Sequence, residues 1–212
     1  MNRPYVLINC AMSVDGKIAH PSGKQMKISC EDDIKRMYNL RNKSDAILVG
    51  VNTVLSDNPK LTVKEKYVKK PKQPIRIVLD TFCKTPLEAE IVNDKAKTII
   101  VVGYECNKKF KNNVEILKCK TNKENFIDLE NLLDVLFKRG IKKLMVEGGS
   151  SVISNFLKEG LVDDFYIYVG SMIIGGRNTP TLIDKECENI KLKLVKTKNI
   201  GKGVLLHYRL IK

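Results

Sequence analysis

The sequence predicts an α/β fold: a mostly parallel central sheet flanked by helices and finished by a C-terminal antiparallel hairpin. Three observations predict it. Short apolar runs recur along the chain and read as strands buried on both faces. Helical patterns separate several of them, as parallel neighbours require. The last stretch instead alternates charged and apolar residues on one side of a Gly201-Lys202-Gly203 loop, as a half-exposed hairpin does.

Residues 5–9 form the first strand, and a loop with Asp15-Gly16 and Pro21-Ser22-Gly23 follows. Ser29-Cys30-Glu31-Asp32 has the pattern of a capping box with acids in the first turn. Ile34, Met37, Tyr38 and Arg41 then recur at helical spacing, the first three as an apolar stripe. Residues 46–49 are a second buried strand, ending at Gly50. A helical turn through Thr53 and Val54 stops near Asp57-Asn58-Pro59. The lysine-rich segment 64–74, with its prolines, is an exposed loop.

Residues 75–79, 98–102 and 114–117 are three more strands. Asp128 caps a helix that runs to about Lys138, with Leu129, Leu132, Leu133, Leu136 and Phe137 as its apolar face and Gly140 as its stop. A further strand leads into Gly148-Gly149, and the next helix ends at Gly160. Residues 165–174 read as a strand ending in Gly175-Gly176, and 191–196 with 204–210 as the hairpin. One domain over residues 1–212 is expected, with no internal repeat or linker.

Lysine and arginine total 38 against 24 acidic residues, a net charge of +14. A basic nucleic-acid-binding protein is therefore the non-enzyme alternative. The lysines are spread along the chain, aromatic residues do not interleave with them, and no nucleic-acid motif is present. A solvated surface that attracts anionic small molecules accounts for the charge better. The six cysteines, Cys10, Cys30, Cys83, Cys106, Cys119 and Cys187, contain no C-x-x-C pair, and His20 and His207 lie far apart. We expect reduced thiols, with no metal site and no disulfide framework. No signal-peptide pattern and no run near the ~20 apolar residues of a membrane helix are seen, so a cytoplasmic protein without a membrane partner is expected.

The chemistry concentrates at Leu144-Met145-Val146-Glu147-Gly148-Gly149-Ser150-Ser151. An apolar strand ends in a carboxylate, glycines and hydroxyls, and a helix starts at once. Glycines let a ligand approach the backbone, and the unpaired amides of a helix start favour an anion. The pattern suits a phosphate-bearing ligand with a carboxylate beside it, although an ordinary turn has the same look. Other strand ends offer Asn9 and Ala11, then Gly50, Thr53 and Asp57, then Asp80, Thr81 and Phe82, then Gly103. In a parallel sheet such ends lie along one edge and converge. The first strand is followed by Met12-Ser13-Val14-Asp15-Gly16, which is not the G-x-G-x-x-G of a dinucleotide fingerprint.

These residues resemble a known family. The stretches 11–19, Leu40-Arg41 with 45–50, 53–62 and Glu147-Gly148-Gly149 are similar, in order and almost end to end, to the reductase domain of riboflavin biosynthesis. The resemblance implies a dihydrofolate-reductase-like domain, a homodimer and NADPH as cofactor, with NADH the alternative. It implies hydride delivery to C1′ of a small phosphorylated pyrimidinone, 2,5-diamino-6-ribosylamino-4(3H)-pyrimidinone 5′-phosphate. The same fold acting on the deaminated pyrimidinedione or on a folate-like pterin is the runner-up. No deaminase signature accompanies the reductase pattern, so the chain is similar to the stand-alone archaeal and fungal forms.

Carried over by the resemblance, Ala11, Gly50, Thr53, Asp57, the Leu79-Asp80-Thr81-Phe82 strand end, Gly103, Gly148, Gly149, Ser150, Ser151, Gly175 and Gly176 meet the cofactor. Asn9, Arg41, Asp57, Leu61 and Glu147 lie near the substrate. Arg41 suits the 5′-phosphate, and either Asp57 or Glu147 suits the proton transfer. Many members carry lysine where this chain has Asn9, so a lysine-assisted step does not transfer. Lys84 suits the 2′-phosphate of NADPH, whereas Asp80 opposes it if it points the same way.

Overall fold

The computed structural model describes residues 2–184 and 189–211. Cys187 lies outside the described residues. One nine-stranded sheet runs through the molecule in the order β5-β4-β3-β2-β6-β1-β7-β9-β8. Its first seven strands in sequence are β1 (Tyr5–Ser13), β2 (Ala46–Gly50), β3 (Ile75–Leu79), β4 (Thr98–Val102), β5 (Val114–Lys118), β6 (Lys143–Gly148) and β7 (Asp164–Gly170). All pairings among these seven are parallel. The hairpin of β8 (Leu192–Ile200) and β9 (Gly203–Leu210) adds antiparallel pairs beside β7. The expected mostly parallel sheet with a terminal hairpin is what the chain forms.

Alternation along the strands builds two cores. Val6, Ile8, Leu48, Ile77 and Val146 face helices α3 (Leu129–Lys138) and α4 (Ser150–Lys158), whose Leu132, Leu136, Ile153 and Phe156 are fully or almost fully buried. Leu7, Ile47, Val49, Val78 and Met145 face the other way, against α1 (Glu31–Asn42), α2 (Val51–Asp57) and a short 3-10 turn, Glu90–Val92. The Asp128 cap forms as expected, its carboxylate accepting from the Asn131 amide at 2.9 Å, and Gly140 follows the helix at φ +86°.

Several expectations are corrected. The first strand extends to Ser13 because β7 pairs with it from Leu7 opposite Asp164 up to Ser13 opposite Gly170. The seventh strand stops at Gly170, not at Ile174, because residues 171–175 turn back onto the first loop. There Val14 donates to the Met172 carbonyl, and Asp15 accepts from the Ile174 and Gly175 amides. The hairpin strand reaches Ile200 rather than Lys196. No capping box forms at α1, since Cys30 is the cap residue and makes no side-chain cap bond. Ser29, one position earlier, donates instead to Asp33 at 2.6 Å.

The absence of disulfides is corrected too. Cys83 and Cys106 form a disulfide bond, with Cα atoms 5.6 Å apart. One follows β3 and the other follows β4, and these strands are hydrogen-bonded neighbours. Adjacency in the sheet, not sequence spacing, brings the thiols together.

Candidate functional site

Five neighbouring strands, β4, β3, β2, β6 and β1, end along one edge of the sheet. Beneath that edge lies a cleft of about 880 Å³. Ala11, Thr53, Asp57, Glu147, Gly148, Gly149 and Ser150 line it. The ends of β1, β2 and β6 therefore converge on it as expected, whereas Asp80, Thr81, Phe82 and Gly103 at the ends of β3 and β4 do not line it.

Glu147 of the wall is clamped from behind by Arg41. Arg41 donates Nε to Oε1 at 2.7 Å and Nη2 to Oε2 at 2.6 Å, and Nη1 reaches the Thr62 carbonyl at 3.0 Å. Their side chains are only 11% and 10% exposed. Burial disfavours the Arg41 charge, but the Glu147 carboxylate outweighs it and holds the guanidinium above its ordinary range. The fork of Arg41 is thus committed to Glu147.

The glycine turn is shaped by contact and by conformation. Gly148 has φ +153°, which favours glycine, and the Gly149 amide donates to Thr53 Oγ1 at 3.0 Å. The helix beyond begins with Ser150 and Ser151, whose hydroxyls donate to one Asp184 oxygen at 2.8 and 2.6 Å. Each hydroxyl has one proton, so both present only lone pairs to a ligand. The donors left for an anion are the backbone amides of the first helical turn.

Other expected residues sit around this centre. Asn9 is buried, and its Oδ1 accepts from Arg36 Nη2 at 2.6 Å. Gly50 caps α2 and does not line the cleft; a Cβ there would come within 2.8 Å of Val152. Leu61 is buried in the core on the α1 side, at φ +47°. Ser151 lies one residue beyond the cleft lining. Gly175 and Gly176 belong to the segment pinned by Asp15, and the Gly175 amide is 2.7 Å from Asp15 Oδ2.

Leu79, Asp80, Thr81, Phe82 and Gly103 form a second zone along the same edge, at the ends of β3 and β4. Asp80 is fully buried and turned into its own loop, accepting from the Lys84 and Thr85 amides at 2.8 and 2.7 Å. Phe82 is exposed and stacks on Tyr104 with centroids 5.3 Å apart, while Lys84 Nζ lies 5.8 Å from the Phe82 ring.

Sequence reasoning missed part of the cleft. The α1 stripe of Ile34, Met37 and Tyr38 is a cleft wall as well as packing surface. Its periodicity was visible, but not what it faces. Lys64 and Tyr67 of the supposedly solvated loop also line the cleft, with Tyr67 stacked on Tyr38 at 4.6 Å. Nothing in a lysine-rich loop marks two of its residues as inward-facing. Cys10 lines the cleft as a neutral thiol, because burial pushes its pKa far up.

The family model of the RibD C-terminal domain matches residues 4–206. This chain belongs to the RibD C-terminal domain family. Two archaeal relatives in it carry the name 2,5-diamino-6-ribosylamino-4(3H)-pyrimidinone 5′-phosphate reductase. The one from Archaeoglobus fulgidus is 41% identical over 209 residues, covering 95% of each chain. The one from Methanothermobacter thermautotrophicus is 38% identical over 215 residues, covering 97% of this chain and 98% of that one. The riboflavin biosynthesis reductase Rib7 of Saccharomyces cerevisiae superimposes with a TM-score of 0.82 at 26% identity, over 100% of this chain and 91% of its own. A deaminase/reductase of Thermotoga maritima gives a TM-score of 0.84 at 27% identity, over 99% of this chain and 57% of that one. The RibD C-terminal architecture, a dihydrofolate-reductase-like α/β sheet, is as expected.

Proposed function

We propose that this protein is an NADPH-dependent reductase of riboflavin biosynthesis. Its substrate is 2,5-diamino-6-ribosylamino-4(3H)-pyrimidinone 5′-phosphate, whose ribosylamino chain becomes ribitylamino. The full-length likeness to two proteins of that name supports the reading. The observation that carries it is the cleft itself, where a clamped carboxylate stands beside a glycine turn and a helix start.

Glu147, fixed by Arg41, accepts hydrogen bonds from the exocyclic amines of the pyrimidinone. Tyr38, Met37 and Ile34 offer an apolar wall to the ring. Because Arg41 is committed, the 5′-phosphate falls to Lys64 and Lys27, the lysines that line the cleft. Asp57 accepts from Ser56 at 2.9 Å, faces the cleft and forms no ion pair among the described residues. We assign Asp57 the proton exchange with the opened sugar, since Glu147 is held by its partner.

The residues fit a dinucleotide. Gly148 and Gly149 keep the backbone open beside the first-turn amides of α4, which suits a pyrophosphate. The Phe82–Tyr104 stack suits an adenine, with Lys84 beside it for a 2′-phosphate. The inward turn of Asp80 removes the objection to NADPH over NADH. NADPH, when bound, supplies the hydride that C1′ accepts. A cytoplasmic homodimer belongs to the same reading. Among the described residues no helix is long and apolar enough to cross a membrane, and β8 exposes Leu194 and Val195 to a second copy.

The test is NADPH oxidation with the diamino substrate, the deaminated pyrimidinedione, a pterin, and an NADH control. Rapid turnover of the diamino compound is expected. Turnover of the deaminated compound alone reverses the order of reduction and deamination, and turnover of none refutes the reading.

A further inference from the structure

We propose that Cys83–Cys106 is a reversible thiol–disulfide site that sets how tightly the adenosine half of the cofactor is held, and that dithiol reductants open it. The inference rests on the cofactor reading above and adds a control that the reading does not contain. It starts from how unequally the two joined turns are anchored.

The turn after β3 holds itself. Buried Asp80 accepts from the Lys84 and Thr85 amides and from Thr85 Oγ1, and the Cys83 amide donates to the Asp80 carbonyl at 3.0 Å. Cys83 keeps φ +53° within this loop. The turn after β4 has weaker ties. Gly103 donates to the Thr81 carbonyl at 3.0 Å, and Phe110 packs on the core further along, but the polar contacts between lie mostly at the surface. Tyr104 reaches Asn125 at 3.0 Å, Glu105 pairs with Lys118 at 2.7 Å, and Lys108 meets the Thr85 carbonyl at 2.8 Å. Exposed pairs of this kind hold little. The covalent bond at Cys106 is the strong tie between residues 104–106 and the rest of the edge.

Phe82 adjoins Cys83, and Tyr104 lies two residues before Cys106. Their rings stack at 5.3 Å with planes 6° apart, and both are exposed, at 54% and 42%. A flat aromatic platform with a lysine beside it receives a purine and an adjacent phosphate. The disulfide therefore clamps the Tyr104 half of the platform to the Phe82 half.

Opening the bond is balanced chemistry. A thiolate of the dithiol bonds to Cys106 Sγ, the less buried sulfur, and the Cys83 sulfur leaves and takes a proton. The second thiol of the reductant then closes a cyclic disulfide and releases Cys106 as a thiol. Two electrons pass from the dithiol to the protein. Asp80 keeps Phe82 in place, while Tyr104 becomes free to swing away.

The experiment uses whole protein purified without reductant. Peptide mapping under non-reducing conditions is expected to find the Cys83 and Cys106 peptides linked. NADPH titration before and after dithiothreitol is expected to show Kd rising about fivefold, the worth of roughly one aromatic contact, and returning on reoxidation with a disulfide. Reduced nicotinamide mononucleotide, which lacks the adenosine half, is expected to bind equally in both states. Cys83→Ser/Cys106→Ser, checked for folding by circular dichroism, is expected to bind NADPH weakly and to ignore dithiothreitol. Unlinked peptides, an unchanged NADPH Kd, or an equal shift for the mononucleotide overturns the proposal. No NADPH binding in either state overturns the cofactor reading itself, which a mere loss of redox dependence leaves standing.

Discussion

Replacing Arg41 by methionine tests the ion pair that shapes the cleft wall. Methionine keeps much of the stem's volume and removes the donors. Two bonds to Glu147 are lost, at 2.7 and 2.6 Å, and a third to the Thr62 carbonyl at 3.0 Å. Hydrogen bonds to charged groups contribute about 1.5–3 kcal/mol each, and removing one partner of a buried pair costs about 3–5 kcal/mol. Glu147 is 10% exposed and borders the cleft, so water from the cleft partly rescues it, and we expect the lower end. The expected loss is about 3 kcal/mol. With a urea m-value of about 2 kcal/mol per M, the unfolding midpoint falls by about 1.5 M. Arg41→Met combined with Glu147→Gln removes both charges and is expected to recover about half of that loss. A midpoint drop below about 0.5 M, or strict additivity in the double variant, refutes the reasoning.

Asp57→Ala is expected to lower kcat by well over tenfold with an unchanged melting temperature, and near-normal turnover removes Asp57 from the chemistry. Gly149→Asp puts a Cβ 3.2 Å from Thr53 Oγ1 and a carboxylate beside the helix start, and is expected to weaken NADPH binding at least tenfold. Ser150→Ala is expected to change it less than threefold, because the Ser150 proton is already given to Asp184; titration of both variants checks the contrast. Asp15 sits at a pKa of about 2, against 3.8, chiefly because the Ser13 hydroxyl donates to it, with the Ile174 and Gly175 amides adding to the effect. A carboxyl depressed in the fold stabilises it above the unfolded value and loses that contribution as pH falls. The Gly175 amide resonance is therefore expected to shift between about pH 4 and 2, and to lose that step in Asp15→Asn; a flat wild-type profile excludes the contact.

Legibility followed the range of the interactions. The α3 helix was readable because its apolar face, its Asp128 cap and its stop at Gly140 lie within a dozen residues. The edge that carries the site was readable because parallel strands must end together. Arg76 was not. Nothing in Ile75-Arg76-Ile77-Val78-Leu79 shows what a charged side chain inside a buried strand would meet, yet Arg76 is fully buried, with its guanidinium satisfied by Thr98, Asn93 and Ala96. Burial lowers its pKa to about 10, with the Asp94 charge opposing the shift. Asp184 likewise meets Ser150 and Ser151 from more than thirty residues away.

Periodicity in the chain was enough to give the mostly parallel sheet, the order of its elements and the strand ends that share one edge. Periodicity, caps and glycines act over a few residues, and a parallel sheet turns them into a common edge. Packing of the folded chain is what commits Arg41 to Glu147, turns Lys64 and Tyr67 inward and brings Cys83 to Cys106. Each of these depends on which strands become neighbours and on which side a helix lies. A side chain's partner is set by that packing, and distant partners leave no periodic trace in the chain.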